Sequence, residues 1–365
     1  MIRIVDLVAI FLVIIAFMSM VAFRKKNSFV TSTLCIVAFI IISFRTIGDD
    51  TSQYVSIYDA INPDFSSFSL ANVNNLVIEP FWFFFISLLK AAGINSPYLF
   101  FFLASILPTL GVYWVYRKTR LFQSADDPLF FSLYLLILYQ FIINGVRAFA
   151  ACCAVLIALW FFNKSKNIKG FFVGIFAVLL HTSSLIIIMF LLISKLNATR
   201  QNIIMFVIII IGFACGLAYV DWNDPYFARI YLKLDYYLFA VENDIANLNS
   251  GRELYIFFSR LLFGTTIAYS AFILLLSFES YKKDDFIASL YRCSLVTVLL
   301  CSVMFASGIY LFSYRIIMFI QPFLVLIFMH SITTRPLPYK LPFFIVGTSF
   351  FWLSFILYAS RFYDS

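Results

Sequence analysis

Residues 97–120 read PYLFFFLASILPTLGVYWVYRKTR. Positions 97–116 carry no charged side chain, and the run ends on Arg117, Lys118 and Arg120. Twenty helical residues rise about 30 Å, the thickness of a bilayer's hydrocarbon core. Backbone in lipid has to hydrogen-bond within its own element, so this run is expected to be a helix that crosses a membrane. The basic residues at its end mark a cytoplasmic loop.

The rest of the 365-residue chain repeats this pattern. It is 63% hydrophobic and only 12% charged, where a soluble chain carries about a quarter charged residues. The period-2 alternation of an outer-membrane barrel is missing. The net charge of +8 comes from Lys and Arg in short clusters between apolar runs. Those clusters read as topology signals, so no nucleic-acid partner is expected. All six cysteines lie within apolar runs and read as small hydrophobes, with no disulfide framework. With only His181 and His330 available, a His-rich metal site is excluded. No phosphate-cradling, dinucleotide or zinc-protease motif occurs, and no metal or cofactor is expected.

Upstream, residues 5–23 form a span followed by Arg24, Lys25 and Lys26. No small-residue cleavage site stands out, so this run reads as an anchor. Residues 28–44 return across the membrane and open a polar external loop at about 45–77. Residues 79–93, EPFWFFFISLLKAAG, are apolar but short. Downstream, the runs 128–143 and 148–162 join through Asn144-Gly145-Val146-Arg147. Residues 170–194 break at His181-Thr182-Ser183-Ser184, and 202–220 span. A second polar external loop follows at about 221–252, then runs at 254–278, 286–308, 309–328 and 341–359. The expectation is one all-α, polytopic transmembrane domain over 1–365, with about 11–13 hydrophobic helices, some short and broken or re-entrant.

If every run crosses, Arg24–Lys26, Arg117–Arg120 and Lys164–Lys169 cannot all face the cytoplasm. Residues 79–93 are therefore expected to enter and leave on the outer side. Residues 170–194 are expected to form two short arms with His181 at the tip. Broken backbone at membrane depth survives where it is buried in protein or lines a cavity, so both exceptions point towards a site.

Charged residues within spans are expensive and usually functional. The candidates are Glu79, Arg147, Arg260, Arg292 and Arg315. Arg260 and Arg292 lie near span starts and read more simply as snorkelling to an interface. Several arginines with few intramembrane acids suit an anionic ligand, because the guanidinium fork binds two phosphate oxygens and stays charged. A lipid-linked diphosphate fits that need, and plain contact with anionic lipid is the competing reading. His181, at a helix break, suits a general base or a hydrogen-bond donor; His330 reads as a boundary residue. At the outer surface, SFRTIGDDTSQYVSIY (43–58) gathers Arg45, Asp49, Asp50, Tyr54 and Tyr58. Tyr54 and Tyr58 share one face if this segment is helical. Asp49-Asp50 also suits a turn, and Glu79 before Pro80 also suits a plain negative charge at a helix start.

Taken in order, Phe44-Arg45, Gly48-Asp49-Asp50-Thr51, Tyr54, Glu79-Pro80, Asn144-Gly145-Val146-Arg147, His181-Thr182-Ser183 and Ser313-Tyr314-Arg315 resemble the EpsG/Wzy group of bacterial polysaccharide polymerases. The likeness runs from about residue 38 to about residue 325. Asp50 takes the place of the group's Asp, and Ala148 departs from a Gln common after the Arg.

The resemblance implies a GT-C-like glycosyltransferase in the bacterial inner membrane, with its active site facing the periplasm. Its substrate would be undecaprenyl-diphosphate-linked oligosaccharide, and its expected partners membrane lipid and a chain-length regulator. The growing glycan would pass from its lipid diphosphate to the non-reducing end of a new unit. Arg147 and Arg315 would bind diphosphate with Arg45 assisting, Tyr54, Tyr58 and Tyr314 would line the substrate, and His181, Asp50 or Glu79 would serve as base. An O-antigen ligase-like transferase and a flippase of lipid-linked sugar are the alternatives.

Overall fold

The computed structural model describes residues 33, 36–41, 44, 51–62, 79–119, 127–195, 251–280, 284–307, 310–334 and 341–360. Arg45, Asp49, Asp50, the spans expected at 5–23 and 202–220, and the 221–252 loop lie outside the described residues. About 90% of what is described is helical, with no strand, as an all-α polytopic membrane protein requires.

The helices are α1 (Thr51–Ala60), α2 (Pro80–Ala91), α3 (Pro97–Lys118), α4 (Asp127–Asn144), α5 (Val146–Asn163) and α6 (Asn167–Leu180). A 3-10 turn (Thr182–Leu185) leads into α7 (Ile186–Lys195). The C-terminal part holds α8 (Gly251–Ser277), α9 (Asp285–Ala306), α10 (Tyr310–Met318), α11 (Gln321–Thr334) and α12 (Leu341–Ser360). Four described helical segments are long and apolar enough to cross a membrane: Pro97–Lys118, Val146–Asn163, Phe257–Ser277 and Asp285–Ala306.

In α3, Ser96 caps the start by accepting from the Tyr98 amide, and Pro97 takes the first position, where a missing N–H costs nothing. At the far end Arg117 pairs with Asp127 at 3.1 Å, and the Tyr113 hydroxyl donates to the same carboxylate. The chain therefore reverses between α3 and α4. α3 also packs closely on α5, since a Cβ at Gly111 would come within 2.7 Å of Ile157.

Both expected exceptions take shape. α2 has 12 residues, about 18 Å of helix, too short to cross about 30 Å of hydrocarbon. Helix α6 ends at Leu180, and α7 folds back beside it: a Cβ at Gly174 would meet Ile187 at 3.5 Å. A continuous helix would hold those two positions about 20 Å apart. His181 thus sits at the tip of two short arms.

One expected span is different. Residues 309–328 are not a single helix, because α10 stops at Met318, Phe319 and Ile320 form a turn, and α11 restarts at Gln321. Pro322 explains the break, since its ring excludes the carbonyl four residues back, while a second helical position accepts it. α11 is buried from Gln321 to Ile332. Gln321 donates to Ser270 of α8 at 2.9 Å, and the His330 ring meets the Ser280 carbonyl at 3.0 Å. His330 is therefore a packed interior residue holding α11 to the end of α8. On the other side of α8, Thr265 bonds Ser354 and Tyr269 bonds Thr348, both of α12.

Candidate functional site

Pro80 forces the preceding residue into extended backbone, and Glu79 has φ −72° and ψ 147°. Its carboxylate makes no cap bond to its own helix. It turns instead to α5, where Oε2 accepts from Arg147 Nη1 at 2.7 Å. A plain charge at a helix start therefore does not describe Glu79. The break at Gly145 puts Arg147 in the first turn of α5. Its Nε donates to the Tyr54 hydroxyl. Tyr54 is buried on α1, and its ring lies 5.4 Å from the guanidinium carbon.

His181 closes the cluster. It ends α6 in extended backbone and caps the 3-10 turn, with Nδ1 accepting the Ser183 amide at 3.2 Å. Its Nε2 faces Glu79 Oε1 at 3.9 Å, beyond hydrogen-bond reach but close enough to pair when charged. With Nδ1 occupied as an acceptor, the neutral ring carries its proton on Nε2. Trp82, three residues after Glu79, donates from its indole to the Leu180 carbonyl at 2.8 Å. That bond ties the start of α2 to the end of α6, and so Glu79 to His181. The side chains of Glu79, Arg147 and His181 are 14%, 17% and 15% exposed, open enough to meet a ligand and dry enough for strong electrostatics.

An apolar cavity of about 340 Å³ is lined in part by chain neighbours of the cluster. Trp82, Phe85, Ala104, Leu107, Ala154 and Phe176 contribute to its wall, which α2, α3, α5 and α6 share. Along α5 the wall runs from Ala150, about one turn beyond Arg147, to Ile157. Trp82 and Leu180 belong to the wall and are also chain neighbours of the cluster.

The other expected residues fall elsewhere. Tyr58 is buried on the same face of α1 as Tyr54, but its hydroxyl donates to the Ile94 carbonyl at 2.6 Å. Burial, and then Asp59 beside it, push the Tyr58 phenol upward, so it stays a donor. Lys90 lies over the Tyr58 ring and donates to the Ile61 carbonyl, fixing α1 to the end of α2. Tyr314 of α10 is buried, stacked on Phe263 at 4.2 Å, and accepts from Gln140 of α4 at 2.6 Å. Arg315 is half-buried next to it, and the Glu79 oxygens face Arg147 and His181 instead. Arg45 and Asp50 lie outside the described residues. Among the described residues no group of His, Cys, Asp and Glu could hold a metal ion. Trp82 and Gln140 escaped the sequence reading. Gln140 had a signal, an amide within an uncharged run; Trp82 was one aromatic among many.

A bundle of long and short apolar helices, with an acid at a helix start and a guanidinium and an imidazole at two helix breaks gathered beside it, defines a multi-pass membrane protein with a built polar site. The EpsG family model matches residues 28–364, and the chain belongs to the EpsG family. No curated protein and no solved structure matches it. Family membership supports a polysaccharide polymerase-type role and a glycosyltransferase-like reaction.

Proposed function

We propose that this protein polymerises undecaprenyl-diphosphate-linked oligosaccharide units on the periplasmic side of the bacterial inner membrane. One observation carries the reading: the polar cluster of Glu79, Arg147 and His181 has chain neighbours, Trp82, Ala150 and Leu180, that line an apolar cavity. A substrate with a charged head and a hydrocarbon tail has that same division. The cavity equals roughly eleven water volumes, so only the head-proximal part of a long prenyl chain would lie in it, the rest running into lipid.

In the proposed reaction an acceptor hydroxyl attacks the anomeric carbon of the donor glycan. The new C–O bond forms as the bond to the diphosphate breaks, and the diphosphate leaves with the electron pair. The acceptor proton passes to the Glu79 carboxylate. His181 is the weaker base, because Nδ1 is taken by Ser183 and Nε2 carries the proton; it is the better donor to a developing negative charge. Arg147 holds the Glu79 carboxylate in place. Diphosphate is a good leaving group, so no strong general acid is required. A chain-length regulator remains the proposed partner.

The test is a polysaccharide gel of a deletion strain complemented with wild type, Glu79→Gln or His181→Ala. A ladder restored by wild type, with single repeat units in the deletion, supports the polymerase. Glycan absent from its final acceptor would favour the ligase, and units trapped inside would favour the flippase.

A further inference from the structure

The Glu79–Arg147 pair has a consequence for charge. At 2.7 Å the carboxylate offsets the guanidinium, so the pair carries no net charge, and the one remaining titratable group, His181, supplies at most a single positive charge. A lipid diphosphate brings at least two negative charges, and this cluster cannot match them alone.

Another cation is better placed to do so. Arg260 lies on α8, within the segment Phe257–Ser277 that can cross a membrane. It is half-buried, and its guanidinium carbon stands 4.4 Å from the centre of the Tyr310 ring of α10. Among the described residues Arg260 forms no ion pair, and its buried Nε has no hydrogen-bond partner. A guanidinium at the edge of an apolar span is costly unless an anion meets it. The Tyr310 face holds it in one orientation and leaves its N–H donors for another group.

The surroundings fix this arrangement. One turn along α8, Phe263 stacks on Tyr314, one turn along α10. Tyr314 accepts from Gln140 on α4, the helix that ends at Asn144 and turns at Gly145 into Arg147. The Arg260–Tyr310 pair is therefore braced against the helix that leads into the acid–guanidinium cluster. Arg315 brings a second guanidinium to the same nine-residue helix, α10.

We propose that Arg260, seated on the Tyr310 ring, is an anion site that takes the diphosphate of a lipid-linked glycan, separate from the Glu79–Arg147–His181 cluster. This rests on the function proposed above. It divides the labour: Arg260 meets the net negative charge, and the Glu79–Arg147–His181 cluster handles the proton. The phosphate of an anionic phospholipid has the same chemistry, and the test separates the two sources.

The experiment uses the full-length protein in nanodiscs of phosphatidylcholine, titrated with undecaprenyl diphosphate. Arg260→Gln is expected to weaken binding about ten-fold or more, the scale of a lost charged hydrogen bond, with an unchanged thermal transition. Arg260→Lys and Tyr310→Leu are expected to weaken it several-fold, and Tyr310→Phe to retain it. These variants keep the test open if Arg260→Gln does not fold. Wild-type affinity in Arg260→Gln, with wild type binding, would overturn this site and leave the proposed function standing. Absence of binding by wild type would overturn both. Displacement of the prenyl lipid by an equal amount of phosphatidylglycerol would also overturn the site, by making it a general lipid contact.

Discussion

The indole of Trp82 donates to the carbonyl oxygen of Leu180, and this bond joins the start of α2, which carries Glu79, to the helix break that carries His181. The Leu180 carbonyl is one of those left without an intrahelical partner at the end of α6. Trp82→Phe keeps an aromatic ring and removes the donor. The expected cost is about 1–2 kcal/mol of stability, with a larger fall in polymer yield because Glu79 and His181 lose their common anchor. Thermal unfolding in detergent and the polysaccharide gel, run on the same variant, measure both.

Arg147 uses two different nitrogens, Nη1 for Glu79 and Nε for Tyr54. Lysine keeps the charge but reaches only one of those partners. Arg147→Lys is therefore expected to lower polymerisation about ten-fold or more, with expression near wild type. Wild-type chain lengths in this variant would remove Arg147 from the site.

Glu79→Gln leaves Arg147 without its counter-charge, at a stability cost on the order of 3 kcal/mol. It also removes the proposed base. The double variant Glu79→Leu with Arg147→Met separates the two effects: stability is expected to recover and activity to stay absent. Unfolding temperatures of the single and double variants, set beside glycan gels, decide the point. Polymer from the double variant would show that neither residue does chemistry.

For His181 the side-chain geometry predicts an order of substitutions. Glutamine can place an N–H where Nε2 now stands, while alanine loses that donor and the cap on the Ser183 amide. His181→Gln should retain part of the activity and His181→Ala almost none, with about 1 kcal/mol lost with the cap. Equal loss in both would favour a base role for the ring. Chain-length distributions on one gel measure the difference.

The apolar cavity makes its own prediction. Ala154 lies on its wall, on the central helix α5. Ala154→Leu fills part of the space. With a lipid-linked donor in vitro, KM is expected to rise while kcat stays close to wild type, the pattern of lost ground-state binding. An unchanged KM would show that no substrate tail lies there.

Much of this architecture could be read from residues alone, because bilayer thickness and backbone hydrogen bonding leave few options. Placing 79–93 as a short helix and His181 at a tip followed from counting basic clusters. Joining Glu79, Arg147 and His181 did not: their partners lie 68 and 102 residues apart in sequence, and spacing along the chain does not encode such contacts. Tyr54 and Tyr58 show the limit within one helix. Both are buried on one face, yet one meets Arg147 and the other the Ile94 carbonyl. The break at Phe319–Ile320 was readable from Pro322 and was overridden by a continuous apolar pattern. Arg260 looked like an ordinary interfacial residue until its position over Tyr310 and its lack of an acid were visible.

The burial of α11 from Gln321 to Ile332 bears on the order in which this protein is assembled. A 14-residue helix rises only about 21 Å, short of the hydrocarbon width, and its residues Gln321–Ile332 are buried within the protein. Such a segment gains little by leaving the translocon alone. It is held by Ser270 of α8 and Ser280 just after it, both synthesised earlier, and α12, synthesised later, flanks α8. Membrane integration of the C-terminal part is thus a joint event, and an interruption of synthesis between Thr334 and Leu341 would strand a helix that has not yet acquired all its neighbours.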